Sequence, residues 1–224
     1  EYFTNYRYGI DIANGDWDNI VTNFLWGAAC FALQIGDLFV PNSDSIGLFP
    51  GLSDSEALFC INFCMISRSL VEIAGWLYEK PNHPRMKWLK KAICCPNNGQ
   101  DVFFAKNFDY RDPLSKSPDV WYLKSPHFSL LEKNTLLPTR TVALFNIGDE
   151  EKKFKVALSD LDLVPGNYLA TDIWSLETSS LKSLENIVLP ARSSRLFAIN
   201  ERRTNSVSVL DSNLKIEQAR YSDG

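Results

Sequence analysis

The sequence predicts an α/β segment followed by an all-β one: strands alternating with helices to about residue 95, then an antiparallel β-sandwich to about residue 200. Two changes of pattern carry this. Up to Cys94 the apolar residues switch between the period of two expected of strands and the 3.6 expected of helices. Past Pro96-Asn97-Asn98-Gly99 only short β-branched or aromatic runs remain, separated by turn residues. Composition agrees, because a chain of 224 residues with 45% hydrophobic and 22% charged residues buries a real core and lies far from the disordered class.

The first element is the alternating run 5–13, with Tyr6, Tyr8, Ile10 and Ile12 on one face and Arg7, Gly9 and Asp11 on the other. Asp16-Trp17-Asp18 supplies cap-type residues. Trp17, Ile20, Val21, Phe24, Leu25 and Ala28 then recur at i, i+3, i+4, which predicts a helix over 17–33. Asp37 to Val40 reads as a buried strand running into Pro41-Asn42-Ser43. Ser53-Asp54-Ser55-Glu56 is a capping box, in which hydroxyl and carboxylate each satisfy a free N–H of the first turn, so a helix is predicted over 54–66. The apolar run 70–77 follows, and Met86 to Cys94 predicts a short basic amphipathic helix.

The second half predicts seven short strands: 101–105, 120–124, 141–147, 154–158, 168–174, 187–189 and 195–199. Residues 201–224 read as a polar tail, with Val207 to Leu210 as an edge strand.

Several functions are disfavoured. With 23 basic against 27 acidic residues and no basic stripe, no nucleic-acid partner is expected. The most apolar windows stop after about ten residues, half of what a bilayer span needs. Glu1 opens the chain with no initiator Met and no leader pattern, so a piece of a larger protein is expected. Of five cysteines, Cys30, Cys60 and Cys64 lie in apolar windows and Cys94-Cys95 are adjacent, a pattern of buried thiols rather than of a disulfide framework.

The residues with the most chemical promise are Arg7 and Asp11. They lie on the polar face of the first strand and at its C-terminal end, where parallel α/β folds gather their reactive groups. Gly9 between them admits a bend or a close ligand. A carboxyl here serves as a general acid if its surroundings keep the proton near neutral pH, and an Arg binds hydroxyls or the carboxylate itself. A direct Arg7–Asp11 ion pair works against the acid, and the plain structural alternative is a surface ion pair at a strand end.

Five segments in order resemble one enzyme family. Tyr6-Arg7-Tyr8-Gly9-Ile10-Asp11-Ile12 with Trp17 is similar to the aromatic-Arg-x-x-x-Asp-Ile…Trp segment of the retaining α-galactosidases of melibiase type and the α-N-acetylgalactosaminidases. Residues 39–46 resemble that family's Asn-Asp-Pro-Asp-Met-Leu loop, with Asn42 and Asp44 at its two acidic positions. Gly51-Leu52-Ser53-Asp54-Ser55-Glu56 resembles its Gly-Leu-(Ser/Thr)-x-x-Glu helix start. Residues 141–146 and 168–174 resemble the Leu-Phe-Asn and Tyr-x-x-x-Asp-(Leu/Ile)-Trp signatures of its C-terminal sandwich.

The resemblance implies a fold: residues 1–95 as the C-terminal part of a (β/α)8 catalytic barrel and 96–200 as the antiparallel β-sandwich, with the polar tail 201–224 beyond it. It also implies roles. Asp11 is the acid/base, Arg7 contacts substrate, and Asp44 is a supporting or structural acid. No cofactor and no metal are implied, the ligand is an α-galactoside or related carbohydrate, and a secreted, periplasmic or lysosome-like compartment is favoured over the cytoplasm. The family's nucleophile, in a Lys-x-Asp motif on an earlier strand, is expected upstream of Glu1, so this segment alone is expected to be inactive. A barrel reduced to its last strands also has open parallel edges.

The chain departs from the family at three places. Asn42 replaces the first acid of the Asp-Pro-Asp loop, Ser43 its proline, and Trp76 an acid after Gly75. These departures motivate a second reading, a carbohydrate-binding or scaffold protein that keeps a hydrolase shape without catalysis.

Other groups read as structural. His83 and His127 flank prolines far apart, Cys60 and Cys64 lack two further ligands, and Tyr168, Asp172 and Trp174 on one strand face read as packing before sugar stacking.

Overall fold

The computed structural model describes residues 5–12, 15–32, 40–75, 77–94, 102–104, 118–124, 140–180, 184 and 186–202. The first part holds β1 (Asn5–Arg7), α1 (Trp17–Ala32), β2 (Val40–Asn42), β3 (Ile46–Gly47), α2 (Asp54–Ile66), β4 (Ile73–Ala74) and α3 (Met86–Cys94). The second holds β5 (Val102–Phe104), β6 (Val120–Lys124), β7 (Arg140–Asn146), β8 (Lys152–Phe154), β9 (Tyr168–Asp172), β10 (Thr178–Ser180), β11 (Ile187–Leu189) and β12 (Ser193–Glu201).

The strands of the first part are parallel. β1 pairs with β2 in the register Arg7↔Asn42, and β3 pairs with β4 in the register Ile46↔Ile73. Leu70 N–H donates to the Pro41 carbonyl at 2.8 Å, so residues 40–47 form the middle of three parallel segments, with helices as the crossovers that parallel pairing requires. Backbones come very close here: a Cβ on Gly47 would stand 2.1 Å from the Ala74 carbonyl oxygen, which only glycine tolerates.

The second part is antiparallel throughout. Six strands lie in the order β10-β9-β12-β7-β6-β5, and β8 with β11 makes a smaller second sheet. The central strands β6, β7 and β12 of the large sheet are buried on both faces. Val120, Tyr122, Val142, Leu144, Phe197 and Ile199 pack with Phe154 and Leu189 of the small sheet. Trp121, Ala143, Phe145 and Leu196, on the opposite face, join a core with Phe24 of α1 and Phe59 and Phe63 of α2. The ring centroids of Phe24 lie 5.0–5.4 Å from those of Phe59, Phe63, Trp121 and Phe145, so this one side chain joins α1 to α2 and to the large sheet.

α2 lies between the parallel segments and the large sheet, which is why it is buried nearly all round instead of showing one apolar stripe. Its polar residues are consequently paired. The Asn62 amide donates to Ser194 Oγ at 2.9 Å and accepts from Trp174 Nε1 at 2.8 Å. Trp174 is therefore packing, with Lys91 Nζ above its ring, as the sequence reading favoured. Cys60 and Cys64 are free buried thiols, pushed up by that burial, Cys64 to about 12.

The capping box at α2 is complete. Ser53 N–H and hydroxyl both donate to Glu56 Oε2, and Glu56 N–H donates back to Ser53 Oγ. Arg192 of the sandwich adds a bond to Glu56 Oε1 at 3.2 Å while its Nε holds Asp149. Burial pushes the Glu56 carboxyl up, but the Ser53 and Arg192 hydrogen bonds outweigh it and hold the group below the usual glutamate range. A carboxyl held down stabilises the fold fully above its unfolded value and loses that contribution as pH falls through the lower folded value. Urea unfolding at a series of pH values is expected to show stability falling below about pH 4. The slope there should be shallower in Glu56→Gln; an unchanged slope would remove Glu56 from the acid response.

Several expectations change, and one is at β2, where Pro41 and Asn42, read as loop, pair with Tyr6 and Arg7 as strand. The strand expected over 5–13 stops at Arg7, because the Asn23 side chain takes both backbone groups of Ile10 and Asp44 takes the Ile12 N–H, leaving no ladder to form. The strand expected over 154–158 is β8 followed by a 3-10 turn at Leu158–Leu161, started where the Ala157 N–H donates to Asp160. β9 ends at Asp172 and not at Trp174, since the Asp172 carboxylate accepts the N–H groups of Trp174 and Ser175 and turns the chain into β10. Leu25, placed on the packed stripe of α1, is 40% exposed. Residues 33–39, Trp76, Cys95, His127 and 207–210 lie outside the described residues. No helix among the described residues is long and apolar enough to cross a membrane.

Candidate functional site

The site is assembled where β1 and β2 end. Arg7 is the last residue of β1, and its guanidinium Nη2 bonds both Asp11 Oδ1 and, at 2.9 Å, Asp44 Oδ2. The three residues singled out in the sequence are thus brought together on one nitrogen. They differ in access: the Asp11 side chain is 78% exposed, Arg7 36% and Asp44 11%. Asp11 faces solvent, Arg7 spans the boundary, and Asp44 is the buried anchor. The ion pair that sequence reasoning set against an acid role is formed.

The loop that carries Asp11 is pinned from below. Asn23 of α1, fully buried, accepts the Ile10 N–H at 2.8 Å through Oδ1 and donates to the Ile10 carbonyl at 2.8 Å and the Ser43 carbonyl at 3.4 Å through Nδ2. Asn19, one turn earlier, donates to the Asp11 carbonyl at 2.8 Å. The loop passes so close that a Cβ on Gly9 would stand 2.1 Å from Asn23 Oδ1. Gly9→Ala must therefore push Asn23 aside. The expected outcome is a loss of about 1–3 kcal/mol, the cost of an overpacked and partly unpaired buried amide, read by urea unfolding. A loss below a few tenths would mean that the clamp is loose.

Asp44 is held by an unusual backbone. Its φ of 71° puts a non-glycine residue in the left-handed region, which costs free energy and persists only where surrounding bonds enforce it. They do so on both sides: Asp44 N–H donates to Asn42 Oδ1 at 2.9 Å, and Asp44 Oδ2 accepts the Ile12 N–H at 2.6 Å. Asn42 Nδ2 in turn donates to Glu72 Oε1 at 3.0 Å, and Ser43 N–H donates to Ser69 Oγ at 2.6 Å.

Sequence reasoning missed Asn23, Asn19 and Glu72. Asn23 had a signal, an amide beside Phe24 within an amphipathic helix; Glu72 stood as a lone acid in the apolar run 70–77. Tyr8, beneath the loop, is buried, and burial drives its hydroxyl far up against the lowering effect of Ser67, Ser43 and Ser69. It belongs to the core. His83 Nδ1 accepts the Arg85 N–H at 3.2 Å and acts as a turn residue. Among the described residues no group of three His, Cys, Asp or Glu is arranged to hold a metal ion.

Chemically, the site presents one open carboxylate next to a guanidinium whose position is fixed by a buried acid, at the C-terminal end of parallel strands. A carboxyl so placed can exchange protons with a ligand once its ion pair is broken, and a guanidinium can bind hydroxyl oxygens.

No family model matches the sequence, and no curated protein matches it. Solved structures do, and the likeness is one of fold: the fold is one found in glycoside hydrolases. The arabinose complex of a GH27 β-L-arabinopyranosidase from Geobacillus stearothermophilus aligns with a TM-score of 0.67 at 16% identity, covering 89% of this chain and 46% of that one. Isomalto-dextranase from Arthrobacter globiformis T6, complexed with panose, aligns at 0.63 and 17% identity over 89% and 35%. α-Galactosidase I from Mortierella vinacea aligns at 0.52 and 14% identity over 91% and 54%. The chain spans 35–54% of the length of these three structures.

Proposed function

We propose that this chain is the C-terminal portion of a retaining glycoside hydrolase that cleaves terminal α-galactosides, with Asp11 as the acid/base and Arg7 as a substrate contact. The observation that carries the reading is the exposed Asp11 carboxylate on a pinned loop, paired with an Arg7 that the buried Asp44 holds in place. Retention needs two carboxyl groups about 5–5.5 Å apart. In this reading Asp11 is one of them, and the nucleophile comes from a segment upstream of Glu1.

The steps are then specific. Substrate hydroxyls draw Arg7 away from Asp11, which in its protonated form gives its proton to the glycosidic oxygen as the nucleophile attacks the anomeric carbon. The aglycone leaves as an alcohol. Asp11, now a carboxylate, takes a proton from the water that displaces the nucleophile, and both carboxyl groups are restored.

The test is the anomeric configuration of the first product. The full-length protein, incubated with an aryl α-galactoside and followed by proton NMR, is expected to release the α-anomer of the sugar first. Initial release of the β-anomer would rule out the retaining reading.

One observation favours the alternative of a binding protein: Arg7 is already engaged by both carboxylates, as in a structural ion pair. Sugar binding in titration calorimetry without turnover of any glycoside would support that alternative.

A further inference from the structure

We infer that Glu72 is a positioning residue of this site, acting through Asn42 on the Asp44–Arg7–Asp11 array; the inference rests on the reading that the array handles a carbohydrate. Glu72 brackets the bend at Asp44 from both ends. Its side chain accepts from Asn42 Nδ2 at 3.0 Å, two residues before Asp44, and its backbone carbonyl accepts the Ile46 N–H at 2.9 Å, two residues after. Between those two bonds the chain takes its left-handed turn.

The Asn42 amide has one donor end and one acceptor end, and it is buried. A carboxylate accepts only the donor end, so Glu72 fixes which way the amide points. Oδ1 is thereby left facing the Asp44 N–H, which it accepts at 2.9 Å. The bend aims Asp44 Oδ2 at Arg7, and Arg7 holds Asp11. A line of hydrogen bonds and ion pairs thus runs from half-buried Glu72 to the open carboxylate. Asn42, a departure from the acid expected at that position, and Glu72 form a matched donor–acceptor pair. An acid at 42 opposite Glu72 sets two carboxylates against each other without a donor.

The experiment is a swap in the full-length protein. Asn42→Asp alone is expected to lower kcat/KM on an aryl α-galactoside by about tenfold or more, within the range of coupled neighbours. Adding Glu72→Gln supplies an amide donor to the introduced carboxylate and is expected to recover activity to within about threefold of the parent, the sign of a direct pair. Glu72→Ala, which keeps the backbone bond, is expected to reduce kcat/KM as Asn42→Asp does. Rates are taken well below each variant's unfolding temperature, so that a purely structural role lowers Tm and leaves kcat/KM in place. That result, or a double variant no better than Asn42→Asp, overturns the inference while the proposed function stands. A parent that neither hydrolyses a glycoside nor binds galactose or arabinose removes the proposed function, and the positioning role with it.

Discussion

Asp11→Asn in the full-length protein is expected to lower kcat/KM on an alkyl α-galactoside by about 10²–10⁴-fold, the usual contribution of a positioned general acid. The substitution is close to isosteric. An amide oxygen still accepts from Arg7, and the backbone bonds of the loop come from Asn23, Asn19 and Asp44, none of which touches the Asp11 side chain. What is lost is the proton. The loss should therefore depend on the leaving group: small for a dinitrophenyl galactoside, which departs without protonation, and large for an alkyl galactoside. Full activity in the variant would remove Asp11 from catalysis. A loss of the same size for both leaving groups would give it a binding role instead.

The second large effect is on stability. Phe24→Ala is expected to destabilise the protein by about 3–5 kcal/mol, the range for a fully buried aromatic truncated to alanine. Set against a typical total of about 5–15 kcal/mol, that is enough to unfold a marginal domain. Phe24 contacts two rings of α2 and two of the large sheet, so no single layer can collapse into the space it leaves. Leu25→Ala, one residue on and 40% exposed, is the control and should cost about 0.5 kcal/mol or less. Urea midpoints measure both. A Phe24→Ala cost below about 1 kcal/mol would mean that the helix layer and the sandwich do not share this core.

Where the signal was local, the reading and the structure agree closely. α2 begins and ends where its capping box and apolar run say, and β6 and β11 match their expected spans to the residue. Where a segment's backbone bonds go to a distant side chain, local pattern misleads. Tyr8 to Ile12 alternate as a strand does, yet past the Tyr8 N–H, which still reaches the Asn42 carbonyl, Asn23 takes the backbone of Ile10 and Asp44 the N–H of Ile12, which turns a strand end into a fixed loop. β10 had no signal at all: Thr178 to Ser180 are exposed and polar, and they form a strand only because β9 offers an edge.

The candidate site divides in the same way. Arg7, Asp11 and Asp44 were legible because residue type and position at strand ends carry chemical meaning and because ordered motifs resemble a family. Asn23 and Glu72 were not, since an asparagine in a helix and a glutamate in an apolar run acquire a role only from what they meet.

Periodicity, caps and residue chemistry, each read within a few positions, carry the two-part architecture, the capped helix α2 and the three residues of the array. That Arg7 joins an open and a buried carboxylate, that Asp44 takes a left-handed turn and that Asn42 faces Glu72 emerges only in the packed fold. Those outcomes depend on bonds between residues about thirty positions apart, whose geometry is set by the packing of one strand and helix against the next.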